Sequence, residues 1–375
     1  MLEACTHITH KANNLHLFFC NYLENIKDLP KNTEFISTHC PDKALATPFS
    51  KVEKDGSPTK LHKLVKEFQK SFLNLSKPDR KTYLKVFEVT NKVEKLFNRP
   101  SNATRKLGYP GKTGDATHKL LVEMFTSTFG LKAFDIKGHY KKLYDSKKDS
   151  WCPFCGMEKY KVPERLKQDY DHLLSKKDYP AAAINLNNLI PMGVDCNRIY
   201  KKDDDILFDK KNNKRRTAVH PYSETIKPVL SLKGSKVGLN KKTRKWKVNF
   251  TPKNQKVATW DDLFNISDRC REDFLEKRPK SSQETEYDGF LEMLIKMCRS
   301  EKNRFEKKTG KKEDWTVDDL NDYLEDLIDD LKDYYYRDRN MLKSAVCDFL
   351  KNHSDSNYKD TLLDRINANL KKTIL

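Results

Sequence analysis

The sequence predicts an α+β protein: a mostly helical chain of 375 residues with a small mixed module near its centre and a basic β-hairpin behind it. Three observations lead there. Apolar residues recur at three- and four-residue spacing in the first third of the chain and again in the last. Between them, residues 148–225 mix short extended runs with Pro, Gly and Asn. In "KWKVNF", Trp246, Val248 and Phe250 then alternate with Lys245, Lys247 and Asn249, the period of a strand with one buried face. Four regions result: helical 1–147, the central module 148–225, the hairpin 226–258 and helical 259–375.

In the first region, "KLHKLVKEFQKSFLNL" and "ATHKLLVEMFTSTFG" carry the helical period, with "SKPDR" and "NRPSNATRKLGYPGKTGD" as breaks rich in turn formers. Cys5, His7, His10, His16 and Cys20 lie near the start. They lack a recognised ligand spacing and read as packing residues. In the last region, Leu320, Leu324, Leu327, Leu331 and Tyr334 form one apolar stripe opposite a face of Asp and Glu. Thr316 followed by Asp319 is a capping signal for that helix. The hairpin's turn is assigned to "GLNKKTRK".

Composition narrows the class. Hydrophobic residues are 37% and charged residues 34% of the chain, the balance of a soluble globular protein with a highly charged surface. No apolar run approaches the roughly eighteen residues of a membrane span, and the start does not read as a secretory signal. A cytoplasmic protein with no membrane partner is expected. The nine cysteines are scattered, so they predict buried thiols in a reducing compartment and not a disulfide framework.

The net charge of +19 is uneven. Residues 197–255 hold 17 Lys and Arg against 5 Asp and Glu, whereas residues 257–375 hold 22 against 27. A basic block of this kind fits a polyanion such as nucleic acid, or else a solvated surface. Its candidate phosphate contacts are Lys201, Lys214, Arg215 and Arg216, followed by Lys241, Lys242, Arg244, Lys245 and Lys247 of the hairpin.

The chemistry concentrates between Trp151 and Lys202. Cys152-Pro-Phe-Cys155-Gly has the shape of a zinc knuckle, and equally that of a redox pair, though no thioredoxin-like βαβ pattern surrounds it. "RLKQDYDHLL" reads as a short strand ending in Asp171-His172, "NLNNLIPM" as a second extended segment and "GVDCNRIYKK" as the start of a helix. A helix packed across the two strands brings Asp171, His172 and Asn197 together. A carboxylate, an imidazole and an amide oxygen suit one hard divalent cation and a general base, the imidazole titrating near its usual 6.5 or so. Neighbours on a strand point to opposite faces, so Asp171 and His172 share a site only where the strand ends or twists. Taken singly, His172 also reads as a packed core histidine and the Asn residues as turn formers.

As a set, Cys-x-x-Cys, Asp-His-x-x-x-Lys with Tyr-Pro beyond it, Asn-Leu-Ile-Pro, Cys-Asn-x-x-Tyr-Lys and the closing "RRTAVHPY" resemble the HNH nuclease family with its ββα-metal fold. The resemblance spans Trp151 to Tyr222. It implies that His172 deprotonates the attacking water and that Asp171 and Asn197 hold one divalent metal, Mg2+ or Mn2+. It implies that Asn188, or Asn187 beside it, braces the loop that orients His172. DNA is the implied substrate, with RNA second, and a 5′-phosphate and a 3′-hydroxyl are the implied products. Many zinc-bearing members have a second Cys-x-x-Cys; here Gly193 stands for its first cysteine. Either a structural Zn2+ rests on Cys152, Cys155 and Cys196, with His220 or a residue outside the motif as the candidate fourth ligand, or the zinc is lost and the three thiols are simply packed. The way stand-alone HNH proteins are deployed also points to a prokaryotic anti-phage defence effector with an ATPase or sensor subunit; a homo-oligomer is one candidate assembly, and the sequence leaves the oligomeric state open. Two alternatives stand beside the nuclease: a non-catalytic zinc-knuckle protein that binds nucleic acid, and an assembly subunit acting through its acidic C-terminal helices.

Overall fold

The computed structural model describes residues 5–102, 105–146, 151–164, 169–236, 244–276, 285–353 and 356–368. Within them the chain is mostly helical with small two-stranded antiparallel sheets, an α+β architecture. The chain falls into two compact units: Met1–Phe154 with Glu158–Ile226, and Cys155–Met157 with Lys227–Leu375. The expected boundary at 147/148 lies outside the described residues.

The first unit begins with helices α1 (Asn14–Ile26), α2 (Lys43–Phe49), α3 (Lys60–Leu73), α4 (Lys77–Asn91), α5 (Val93–Leu96), α6 (Thr113–Ser127) and α7 (Ile136–Asp145). Their starts are set locally. The Thr59 side chain accepts the His62 amide to open α3, and the Ser76 side chain accepts the Asp79 amide to open α4, each satisfying an amide that the first turn leaves without a partner. In α3, Leu61, Val65, Phe68 and Phe72 fall on one buried face. That face packs on α6, and Phe19, Tyr22, Phe49, Tyr83 and Phe87 join it in a core of aromatic rings. Tilted and edge-on contacts dominate there, such as Tyr22 on Phe49 at 5.7 Å and 84°, the arrangement that ring quadrupoles favour.

The central module does not stand apart from this core. Strand β1 (Tyr170–His172) pairs antiparallel with β2 (Leu189–Pro191), Asp171 opposite Ile190 and His172 opposite Leu189. Tyr170, Ala181, Ala183, Ile184, Leu186 and Leu189 are buried in the same cluster as the helical aromatics. The loop from β1 to β2 is thereby clamped onto α4 and α6, which is why the helical region and the module form one unit. A widened helical segment, Asp195–Lys201, follows β2; at its end the Lys202 amide donates to the Asn197 carbonyl five residues back, at 2.9 Å. A short hairpin of β3 (Phe208–Asp209) and β4 (Lys214–Arg215) closes the module.

In the second unit, β5 (Val229–Ser231) pairs with β6 (Asn249–Thr251), and Lys236 bridges Lys245 nearer the turn. The turn residues 237–243, with Lys241 and Lys242, lie outside the described residues. Trp246 is buried against Tyr287 and Phe349, so one face of the hairpin belongs to the core. The helices are α8 (Gln255–Phe264), α9 (Ile266–Arg269), α10 (Glu286–Thr309), α11 (Val317–Lys332), α12 (Asn340–Lys351) and α13 (Ser356–Asn367). At the start of α11, Thr316 and Asp319 exchange backbone and side-chain hydrogen bonds in a capping box. The stripe on this helix packs against α12 through Leu320 and Leu324 and fades to an exposed Tyr334. No helix among the described residues is long and apolar enough to cross a membrane.

Candidate active site

Asp171, His172 and Asn197 line one cleft of about 370 Å³, together with Phe125, Lys176 and Lys201. The strand condition is met because β1 is three residues long and stops at His172. Just past its end, backbone and side chains hand over to the loop.

His172 is fixed on two sides. Its Nε2 lies 2.9 Å from the Ala183 carbonyl oxygen. A carbonyl only accepts, so Nε2 carries the proton and Nδ1 keeps its lone pair. The Phe125 ring of α6 meets the imidazole edge-on, with centroids 4.5 Å apart. The imidazole does not titrate near its usual value: burial drives it down to about 3, the Ala183 hydrogen bond opposing and the Lys176 and Lys201 charges adding to the fall. This corrects the expectation of an unperturbed histidine. At neutral pH the ring is neutral and its Nδ1 is a proton acceptor.

The loop that holds Ala183 is itself stapled by Asn188, which is fully buried. Asn188 Oδ1 accepts the Leu174 amide at 2.7 Å, and Nδ2 donates to the carbonyls of Leu174 at 3.0 Å and Ala182 at 3.1 Å. The side chain that bridges the loop is therefore that of Asn188. Asn187 turns elsewhere, its Oδ1 3.1 Å from His7 Nε2.

Asp171 is mostly covered and pairs with Lys201, whose Nζ is 2.8 Å from Oδ2. Burial raises the carboxyl above the usual range, and Lys201 pulls against that rise. Asn197 is half-buried on the helical segment, one turn before Lys201. The donors at this cleft are oxygens, a carboxylate and an amide, the set that hard cations such as Mg2+ or Mn2+ prefer.

Behind the module, Cys152, Cys155 and Cys196 are buried with sulfur atoms all within 4.8 Å of one another, a cluster that could hold a metal ion. The Gly193 amide donates to Cys152 Sγ at 3.4 Å. Gly193 also explains why the second cysteine pair is incomplete. A Cβ there would stand 2.4 Å from Glu158 Oε2, because the Glu158 carboxylate occupies that corner and accepts the Val194 amide at 2.7 Å and the Asp195 amide at 3.2 Å. It caps the helical segment that carries Asn197. His220 is not with the cysteines: its Nδ1 faces Ser223 Oγ at 3.1 Å and its Nε2 the Asn187 carbonyl at 2.8 Å. No disulfide joins any of the nine cysteines.

The expected phosphate contacts divide. Lys214, Lys245 and Lys247 are exposed. Lys201 and Arg216 are buried, Arg216 donating to the Ile206 carbonyl at 3.3 Å. Arg215 is half-buried, with its guanidinium 2.6 Å from the Tyr179 hydroxyl and over the Phe208 ring. Arg244 is nearly buried, pairs with Asp288 at 2.8 Å and lies over the Tyr287 ring. Lys201, Arg216 and Arg244 thus have interior partners, Lys201 at the wall of the cleft. Sequence reasoning gave no role to Phe125 or Lys176, although Lys176 closes the Asp-His-x-x-x-Lys pattern.

No family model, no curated protein and no solved structure matches this chain. Any assignment of function therefore rests on the residues and their geometry.

Proposed function

We propose that this protein is a metal-dependent endonuclease of the HNH type that hydrolyses phosphodiester bonds in DNA. One observation carries the reading: His172 Nε2–H donates to the Ala183 carbonyl, which leaves Nδ1 as the acceptor atom of a residue that lines one cleft with Asp171 and Asn197.

The roles follow from that arrangement. Nδ1 of His172 takes the proton of the attacking water. The Asn188 staple and the Phe125 ring keep the imidazole from turning as it gains the proton. Asp171 and Asn197 are the residues that would hold a hard divalent cation. Bound there, such an ion would supply positive charge against the negative charge that develops on the phosphate. Lys176 and Lys202 line the same cleft and bring cationic charge to the phosphate backbone without reading sequence. The exposed Lys214, Lys245 and Lys247 extend that charge along the chain.

The test is nicking of supercoiled plasmid by purified protein across a series of divalent metals, with His172→Ala alongside. Metal-dependent nicking that the variant lacks supports the reading. Retention of DNA without cutting under any metal overturns it in favour of a non-catalytic binder.

A further inference from the structure

Lys201 is the residue the sequence places on the surface and the fold places inside. Its side chain is 1% exposed, and its ammonium lies 2.8 Å from Asp171 Oδ2, 2.9 Å from the His172 carbonyl and 3.4 Å from the Lys202 carbonyl. The two carbonyl contacts are hydrogen bonds, whereas the contact with Asp171 is an ion pair whose buried Oδ2 has no hydrogen-bond partner. A buried lysine needs a counter-charge. Here the counter-charge is the same carboxylate that stands where a hard cation would be held.

The charge of the surrounding cleft sharpens the point. Its lining includes Lys176, Arg198, Lys201 and Lys202 against Asp171 and Asp203. A dication entering this surface meets net repulsion, and the mostly covered Asp171 carboxylate is already paired. Room for it opens when one resident positive charge leaves. Lys201 is the group whose departure frees the carboxylate, and its long flexible stem lets the ammonium move while the helical backbone stays.

We propose that Lys201 is a resident cation of the candidate site, holding Asp171 until a divalent cation takes its place, so that loading is an exchange of one cation for another. The proposal rests on the reading of Asp171 as a metal ligand. Lys201 is a positioning residue: it acts through Asp171, and its release sets how much divalent cation the site demands.

The experiment measures Mn2+ affinity of the full-length protein by the loss of the free-ion signal in electron paramagnetic resonance. Wild type, Lys201→Met, Asp171→Asn and the Asp171→Asn/Lys201→Met double variant are compared. Removing the competitor should tighten Mn2+ binding about tenfold or more, since breaking a buried ion pair is costly. The gain should vanish in the double variant. Equal or weaker binding by Lys201→Met overturns the exchange. If Lys201→Met folds only when Mn2+ is added, the ion has replaced the ammonium and the exchange stands. If it stays unfolded with Mn2+, whether or not the double variant folds, no divalent ion substitutes for the ammonium and the exchange fails. Plasmid nicking separates the two readings. Wild type that nicks DNA while Lys201→Met leaves Mn2+ affinity unmoved keeps the nuclease and ends the exchange. Wild type that nicks nothing while Lys201→Met gains affinity does the reverse.

Discussion

Asn188→Ala tests the geometry on which the orientation of His172 depends. The substitution removes three hydrogen bonds in a fully buried place. The Ala182 carbonyl keeps a second partner, the Asn185 amide at 3.2 Å. The Leu174 amide and carbonyl lose the side chain that satisfied both. Two stranded buried groups at ~2 kcal/mol each come to about 4 kcal/mol. In a unit of roughly 220 residues this lowers the melting temperature by about 8–16 °C. Hydrogen exchange supplies a local readout, because the Leu174 amide should lose its protection while amides of the helical core keep theirs. Asn187→Ala is the matched control, since its half-buried side chain reaches His7 and leaves the loop alone. A melting temperature within about 2 °C of wild type, with Leu174 still protected, would refute the staple. So would a larger loss from Asn187→Ala.

Four further outcomes can be checked. His172→Ala should slow plasmid nicking by about 100- to 10,000-fold, while Asp171→Ala and Asn197→Ala should raise the metal concentration needed for half-maximal rate; unchanged midpoints remove both from the ligand set. Burial holds His16 and His139 down to about 4, so the unfolded chain binds protons that the folded chain refuses, and stability is full above about pH 6.5 and falls as the pH drops toward 4. With His172, which burial holds down to about 3, the three together should remove about 4 kcal/mol at pH 5.5, and His16→Gln should lessen the acid-linked fall in melting temperature by no more than about a third; a flat profile from pH 7.5 to 5.5 contradicts this. Lys245→Gln/Lys247→Gln should lower the slope of log DNA affinity against log salt by about 1.8, whereas Arg244→Gln should destabilise the second unit by about 3 kcal/mol because Asp288 loses its charged partner; a reversed pattern assigns Arg244 to DNA. A zinc ion held by Cys152, Cys155 and Cys196 predicts one zinc per chain by elemental analysis and its loss in Cys196→Ser; protein that melts identically with and without a zinc chelator takes the cluster out of the fold's support.

Much of the fold could be read in advance where the signal was local. The periodic runs around Leu61 and Leu120 became helices, and Thr316 with Asp319 marked a helix start, because period and caps are properties of neighbouring residues. The order of strand, strand and helix around Asp171, His172 and Asn197 was also legible, and these residues line one cleft. What stayed hidden depends on partners far along the chain. The run Ala181–Ile184 has neither strand nor helix period, and only contact with the helices shows why it is buried and why the module shares a unit with them. Lys201, Arg216 and Arg244 counted as surface charge because a charge count does not say which way a side chain faces. The depressed titration of His172 follows from a burial to which Phe125 contributes, a residue 47 positions earlier with no motif of its own.

The widened turn after β2 has a bearing on which changes the chain can absorb. The Lys202 amide closes on the Asn197 carbonyl five residues back, so the segment contains one residue more than an ordinary turn would hold. Ile199, in its middle, is 53% exposed and should accept almost any side chain. Its deletion is another matter. Losing one residue would wind the segment back to a regular helix and swing the Lys201 ammonium around the axis, away from Asp171, with no coded side chain altered. In a library of variants this stretch should tolerate substitution and punish single-residue gaps, a signature of length and not of chemistry.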